Sequence, residues 1–375
     1  MVLREKPRRT NTLKAQNKSE AFRNRTASSN QGDLEMKAKL FAAAITLGLG
    51  TPLWAEQTTL VVNSWGGPYE KLHRELVFEP FEKAHDVKIQ VVTLYSADAL
   101  AQLRAQKEAP QYDVIHFSGG QEVIAAREGL LAPIEPAELE NAPDLYPFAS
   151  EGMTRGEGPV HLVTTVGLLY NEETAPRVPT SWKDLWDAEY GDHIVLTDLS
   201  NSFGLLGFLM MNRVWGGAIE DATAGLEKVG ELIENSMIVT TSPEIQQNFA
   251  QNDAWITPFA QDYAHVIRES GLPVKFVVPE EGVAGVYFTA NLVANRPNQD
   301  LAKKLIDFEL SPEVQEAFAR AMRYSPSNSK AVLDDDIADE ILHGDAMSSL
   351  VRFDPLEMDA HRNQLVEDWK KLISR

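Results

Sequence analysis

Apolar positions along the chain alternate between short β-branched runs and longer stretches with a helical repeat. Thr59–Val62 predicts a first strand. It leads into Asn63-Ser64-Trp65-Gly66-Gly67-Pro68, where a proline suits the first turn of a helix. Leu72, Leu76, Val77 and Phe81 give that helix one apolar face, and Pro80 disturbs its last turn. Val87–Thr93 alternates with a period of two, Ser96 is expected to cap a helix through Ala105, and Asp113–Phe117 predicts a third strand. Ser118-Gly119-Gly120-Gln121 repeats the glycine-rich strand-to-helix turn, and the helix that follows stops at Gly129, suited to a left-handed cap. This order predicts a mostly parallel sheet with both glycine-rich turns at one edge, where α/β sheets hold their ligands.

Pro159–Asn171 (PVHLVTTVGLLYN) is the longest β-like run. Ordinary strands run to about five or six residues. Gly167 lies inside it and implies a bend or a close backbone approach. We read the run as a crossover strand that leaves one α/β lobe at Thr165 and enters a second at Leu168. In the second lobe, Ser181 with Asp184 forms a helix cap, Ile194–Thr197 a strand, and Phe203–Met211 a dense apolar helix better read as core than as a ligand face. Trp255–Thr257 and Lys275–Val278 predict further strands. Gly285–Ala294 reads as the return crossover. The resulting fold class is α/β, with two lobes joined by hinge strands: residues 56–165 with 290–325, and 166–289 with 326–375. The last helices, near Ile337–Leu342 and Pro355–Ser374, are expected to pack on the second lobe. Asp334-Asp335-Asp336 lacks calcium-loop spacing and reads as a lead-in to a helix.

The start of the chain follows another logic. Met36–Lys39 is a short basic segment, Leu40–Gly50 is apolar, and Thr51–Ala55 ends in Leu-Trp-Ala. That reads as a secretory signal peptide over 36–55, cut after Ala55, with residues 1–35 a leader outside the folded protein and translation expected from Met36. The apolar run is shorter than the ~20 residues of a membrane span. Export to the periplasm fits a chain with no cysteine, which also removes disulfides and thiolate chemistry. The 375 residues carry a net charge of −20. Residues 1–55 hold ten basic and four acidic side chains, so the remainder holds 25 and 51, a net −26. Nucleic acid and anionic membranes are poor partners for such a surface, and a cationic solute is favoured at long range, although plain solubility explains the charge equally well.

Catalytic signatures are missing. The sequence holds no phosphate loop and no HExxH, its histidines have no ligand spacing, and Ser118 sits in HFSGG, unlike a nucleophile elbow. Binding is therefore expected rather than catalysis, with no cofactor and no metal, and a monomer.

Five features together resemble one family. They are the two-lobe order, TSWKDLW (Thr180–Trp186), YGDHIVLTD (Tyr190–Asp198), VPEEG (Val278–Gly282) and RYSPSN (Arg323–Asn328). They are similar to the spermidine/putrescine-type periplasmic solute-binding proteins of bacterial ABC importers. The resemblance implies a type II-like periplasmic-binding-protein fold that closes on a small solute and delivers it to a membrane permease. It implies Trp65, Ser118 and Asp198 as site positions. It also shows departures: Ser202 where an acid is common, Ala290 where a carboxylate grips an amine, and Ala260 where an aromatic is expected. The residues themselves offer Asp198 and Asp262 as ammonium partners and Trp65, Tyr263 and Tyr287 as aromatic faces. Gly66-Gly67 and Gly119-Gly120 offer open backbone for a carboxylate, and Gln121, Ser200 and Asn201 complete the expected ligand set. The expected ligand is a polyamine such as putrescine or spermidine, with a short amino acid, such as a γ-amino acid, as the alternative.

Overall fold

The computed structural model describes residues 57–374; the leader and the signal-peptide segment lie outside them. The first half of the fold is β1 (Thr59–Ser64), α1 (Gly67–His73), α2 (Glu79–His85), β2 (Lys88–Thr93), α3 (Ser96–Ala105), β3 (Val114–Ser118), α4 (Gln121–Arg127), α5 (Pro147–Ser150) and β4 (Val160–Asn171). The chain continues through β5 (Ile194–Thr197), α6 (Ser202–Val214), α7 (Thr223–Ile233), β6 (Ser236–Val239), α8 (Ser242–Ala250), β7 (Ile256–Ala260), α9 (Gln261–Glu269) and β8 (Val274–Val277). It closes with β9 (Val283–Leu292), α10 (Gln299–Glu309), α11 (Pro312–Met322), β10 (Ser325–Pro326), α12 (Asp335–Ala338), β11 (Leu350–Val351) and α13 (Pro355–Ile373).

The strands make one mixed sheet in the order β2-β1-β3-β9-β4-β7-β5-β6. Its two flanks are parallel, β2-β1-β3 on one side and β7-β5-β6 on the other. Between them run the two long strands, antiparallel to each other and to their neighbours. β4 is shared along its length: Val160–Val166 pairs with β9, and Val166–Tyr170 pairs with β7. All twelve of its residues are buried, which is why the sequence there is mostly apolar and β-branched rather than alternating. Gly167 has the expected close approach, since a Cβ there would lie 2.7 Å from the Phe276 ring and 2.9 Å from the Val277 carbonyl on β8.

Two local details differ from expectation. Pro80 does not end the first helix. The chain between α1 and α2 widens into one π-helical stretch, Arg74–Phe78, and Pro80 then occupies the first turn of α2, where its missing N–H costs nothing. Ser96 is the first residue of α3 rather than its cap, and its hydroxyl instead meets Ser118, 3.2 Å between the oxygens. The C-terminal packing is also corrected. α13 packs on α7 of the second lobe but also on α4 of the first. A Cβ on Gly120, which has φ 93°, would lie 2.3 Å from Pro355. Ile337 and Ile341 pack on Ala319 of α11, so that segment does not belong to the second lobe alone.

Candidate ligand-binding cleft

The parallel flanks send β1, β3, β5 and β7 toward one region, and the turns after these strands carry the candidate side chains, as expected for ligand sites in α/β sheets. A cavity of about 270 Å³ opens there. Its walls come from Ser118, Gly119, Gly120 and Glu122 after β3, Ser202, Phe203 and Leu206 on α6, Gly285–Phe288 on β9, and Arg352, Phe353, Pro355 and Met358 at the start of α13. Both lobes, one hinge strand and the C-terminal segment therefore meet in one space. Gly119 and Gly120 have φ 84° and 93°, a left-handed turn that glycine adopts without strain; Pro355 covers Gly120, and Gly119 stays more open.

Arg352 is a charged side chain of the cavity wall. Its guanidinium lies 5.4 Å from the Tyr287 ring centroid. It forms ion pairs with Glu151 at 3.6 Å and Glu157 at 4.0 Å. The Glu157 carboxylate already takes two hydrogen bonds from Arg155, at 3.0 and 3.1 Å. Among the described residues the Arg352 guanidinium donates no hydrogen bond within 3.5 Å. Glu122, the second residue of α4, is its counterpart. Burial pushes its carboxyl up to about 7, only partly offset by nearby backbone N–H groups and by Arg352, and Glu157 adds to the rise. One of its oxygens has no partner.

An aromatic cluster adjoins the cavity through Phe288. Trp65 stacks 4.6 Å from Tyr69 and 5.2 Å from Phe288, and Phe288 lies 4.9 Å from Tyr324. The Trp65 indole N–H is buried without a partner. Asp262, at the start of α9, accepts a hydrogen bond of 2.5 Å from the Thr164 hydroxyl. Desolvation raises the Asp262 carboxyl, and its charge in turn helps raise Tyr324.

The structure thus divides the predicted residues. Ser118, Gly119 and Tyr287 line the cavity. Trp65 and the Gly66-Gly67 turn belong to the adjoining aromatic wall, and Asp262 lies close to Tyr324. Gln121 sits beside Gly119 with its side-chain oxygen buried and unpartnered. Asp198 is corrected. Its carboxylate accepts from the Trp369 indole at 2.9 Å and from the Ser200 backbone and hydroxyl at 2.9 and 2.5 Å, so it fastens α13 to the β5 turn. Ser200 serves that same bond, and Asn201 caps α6 by accepting from Phe203 N at 2.9 Å. Tyr263 is corrected too: it packs on Phe259 within the second lobe's other core and does not line the cavity. Sequence reading missed Glu122, Phe288, Tyr324 and Arg352. Phe288 lay within an apolar strand pattern, and nothing local marks Arg352, which reaches the cavity only through the path of α13.

Two parallel flanks hinged on shared strands, with a cleft between them lined from both sides, define a two-lobe solute-binding protein. Residues 77–343 match the family described as bacterial extracellular solute-binding protein, and the chain belongs to that family. It is therefore the substrate-binding component of an ABC importer and not an enzyme. The chain is similar to the spermidine/putrescine-binding periplasmic protein of Salmonella typhimurium, 26% identical over 328 residues, 82% of this chain and 90% of that one. It is also similar to the gamma-aminobutyric acid-binding protein of Pseudomonas aeruginosa, 22% identical over 304 residues, 78% and 84% of the two chains. The fold matches the crystal structure of an ABC transporter from Clostridium perfringens with a TM-score of 0.73, at 23% identity over 84% of this chain and 99% of that one.

Proposed function

We propose that this protein captures, in the periplasm, a small solute carrying both a carboxylate and an amine, a short γ-amino acid being the type, and delivers it to an inner-membrane permease. The observation that carries this reading is Arg352, an arginine on the wall of the interlobe cavity whose ion pairs, at 3.6 and 4.0 Å, are longer than hydrogen bonds. A planar guanidinium suits two-pronged recognition of a carboxylate. The Gly119 backbone and the start of the thirteen-residue helix α6 add polar backbone and a positive dipole end on the same cavity. The amine end has an aromatic wall in Phe288 and Trp65, with Asp262 behind it. A diamine would bring a second positive charge toward Arg352, and Asp198 is not free to receive it. The similarity to a relative named for γ-aminobutyric acid supports the same reading.

Binding contacts to both lobes favour the closed state, so the solute shifts the population by its differential contacts. Polyamine capture is the second reading, favoured by the similarity to spermidine/putrescine-binding relatives and by the acidic chain. A thermal-shift screen with putrescine, spermidine, γ-aminobutyrate and simple organic acids separates the two. The proposal expects γ-aminobutyrate-type compounds to raise Tm in the native protein and not in Arg352→Gln. A shift from putrescine alone, retained in Arg352→Gln, would overturn it.

A further inference from the structure

Behind the aromatic wall lies a second polar centre that ligand capture does not use. His73 from α1, His116 from β3 and Glu309 from the last turn of α10 converge, each at most 1% exposed. His116 Nε2 lies 3.0 and 3.1 Å from the two Glu309 oxygens, and His73 Nε2 lies 3.2 Å from one of them. All three ligand atoms fall within 4.8 Å of one another. Ligand atoms on a tetrahedron with bonds of 2.0–2.1 Å are about 3.3 Å apart, so the spacing fits a zinc-type ion.

The tautomer of His116 sharpens this. Its Nδ1 lies 2.9 Å from the Asn63 carbonyl, which can only accept, so Nδ1 carries the proton. Asn63 is itself held by the His116 backbone, accepting from its N–H at 2.5 Å and donating to its carbonyl at 3.0 Å. Nε2 of that ring faces the Glu309 carboxylate at 3.0 and 3.1 Å, a place that either a second ring proton or a metal ion fills. Metal-bound histidines are held in this way, with the far N–H on a carbonyl. A third imidazole stands alongside. The His161 ring is 5.7 Å from that of His116, and its Nδ1 is buried without a partner. Apolar side chains of similar size would stabilise such a core at least as well as an ion cluster.

We propose that His73, His116 and Glu309 bind one divalent transition-metal ion of the zinc type, in a structural role. It fastens α1, which carries the Trp65–Gly67 turn, to β3 and α10, and so fixes the first lobe's wall of the cleft. The site is closed, so the ion enters during folding. The test uses the full chain without a histidine tag, unfolded in guanidinium with chelator and refolded with zinc, with cobalt or with chelator alone. Metal is counted after gel filtration. One equivalent of zinc is expected, with Tm about 5 °C above the chelated protein and visible cobalt bands of a low-symmetry site. Glu309→Gln and His73→Ala should lose both the metal and the gain in Tm. Should either variant fail to fold, the native protein's metal count and cobalt spectrum still decide. A refolded native chain without retained metal, with equal Tm in zinc and chelator, would overturn the proposal. So would zinc that both variants keep in full, which marks surface binding.

Discussion

The turn after β5 and the segment entering α13 each place one charged side chain near the cleft, and the two residues have opposite surroundings. Asp198 is surrounded by donors, the Trp369 indole and both Ser200 groups. Arg352 has two longer ion pairs, Glu151 and Glu157, and an aromatic face. The first charge is spent inside the protein and holds two elements together. The second donates no hydrogen bond within 3.5 Å among the described residues. Charge near a cleft is thus no guide to ligand chemistry until the hydrogen bonds around it are counted.

The contrast can be broken first at Arg352. Arg352→Gln should weaken binding of a γ-amino acid about 100-fold, roughly 3 kcal/mol, the usual cost of losing one partner of a desolvated charged pair. Calorimetric titration measures it, and unfolding by urea should barely change. The next effect is one of pH. The folded chain holds the Glu122 proton up to about 7, whereas an unfolded glutamate releases it near 4.5, and the charges facing it are Arg352 and Glu157. Native Glu122 therefore binds the proton more tightly than unfolded Glu122. Its contribution to stability is present below pH 4.5 and is lost as pH rises toward 7. Glu122→Gln should remove that slope and stabilise the protein at pH 8 by about 2–3 kcal/mol relative to native, with no gain at pH 4. Urea midpoints at the two pH values check it.

Asp198→Ala should show the opposite split from Arg352→Gln. Stability falls by about 2 kcal/mol because the buried Trp369 N–H loses its acceptor, while affinity changes less than threefold. A large loss of affinity with unchanged stability would return Asp198 to the ligand. The smallest effect is at the hinge. Gly167→Ala sets a Cβ 2.7 Å from the Phe276 ring and should cost about 1–2 kcal/mol in thermal unfolding.

Much of the fold could be read along the chain because the elements declare themselves locally. The long apolar and β-branched run of β4 announces a strand buried on both faces, and the glycine-rich turns after β1 and β3 announce the edge where the cleft lies. The site was legible only where a turn carried it, as at Ser118 and Gly119. Trp369 binds Asp198 across 171 residues, so no local pattern shows that the carboxylate is occupied. His73 and Glu309 meet across 236 residues, and each looks like an ordinary helix position on its own. Phe288 and Tyr324 take their roles from the pairing of β9 and the turn at Arg323, which tertiary packing sets.

Side-by-side isothermal titration of the purified protein with γ-aminobutyrate and with putrescine tests the central claim most directly. An Arg352-centred cleft predicts saturable one-to-one binding of the amino acid, at least ten times tighter than any response to the diamine. Tight one-to-one binding of putrescine, with no heat from the amino acid, would contradict it.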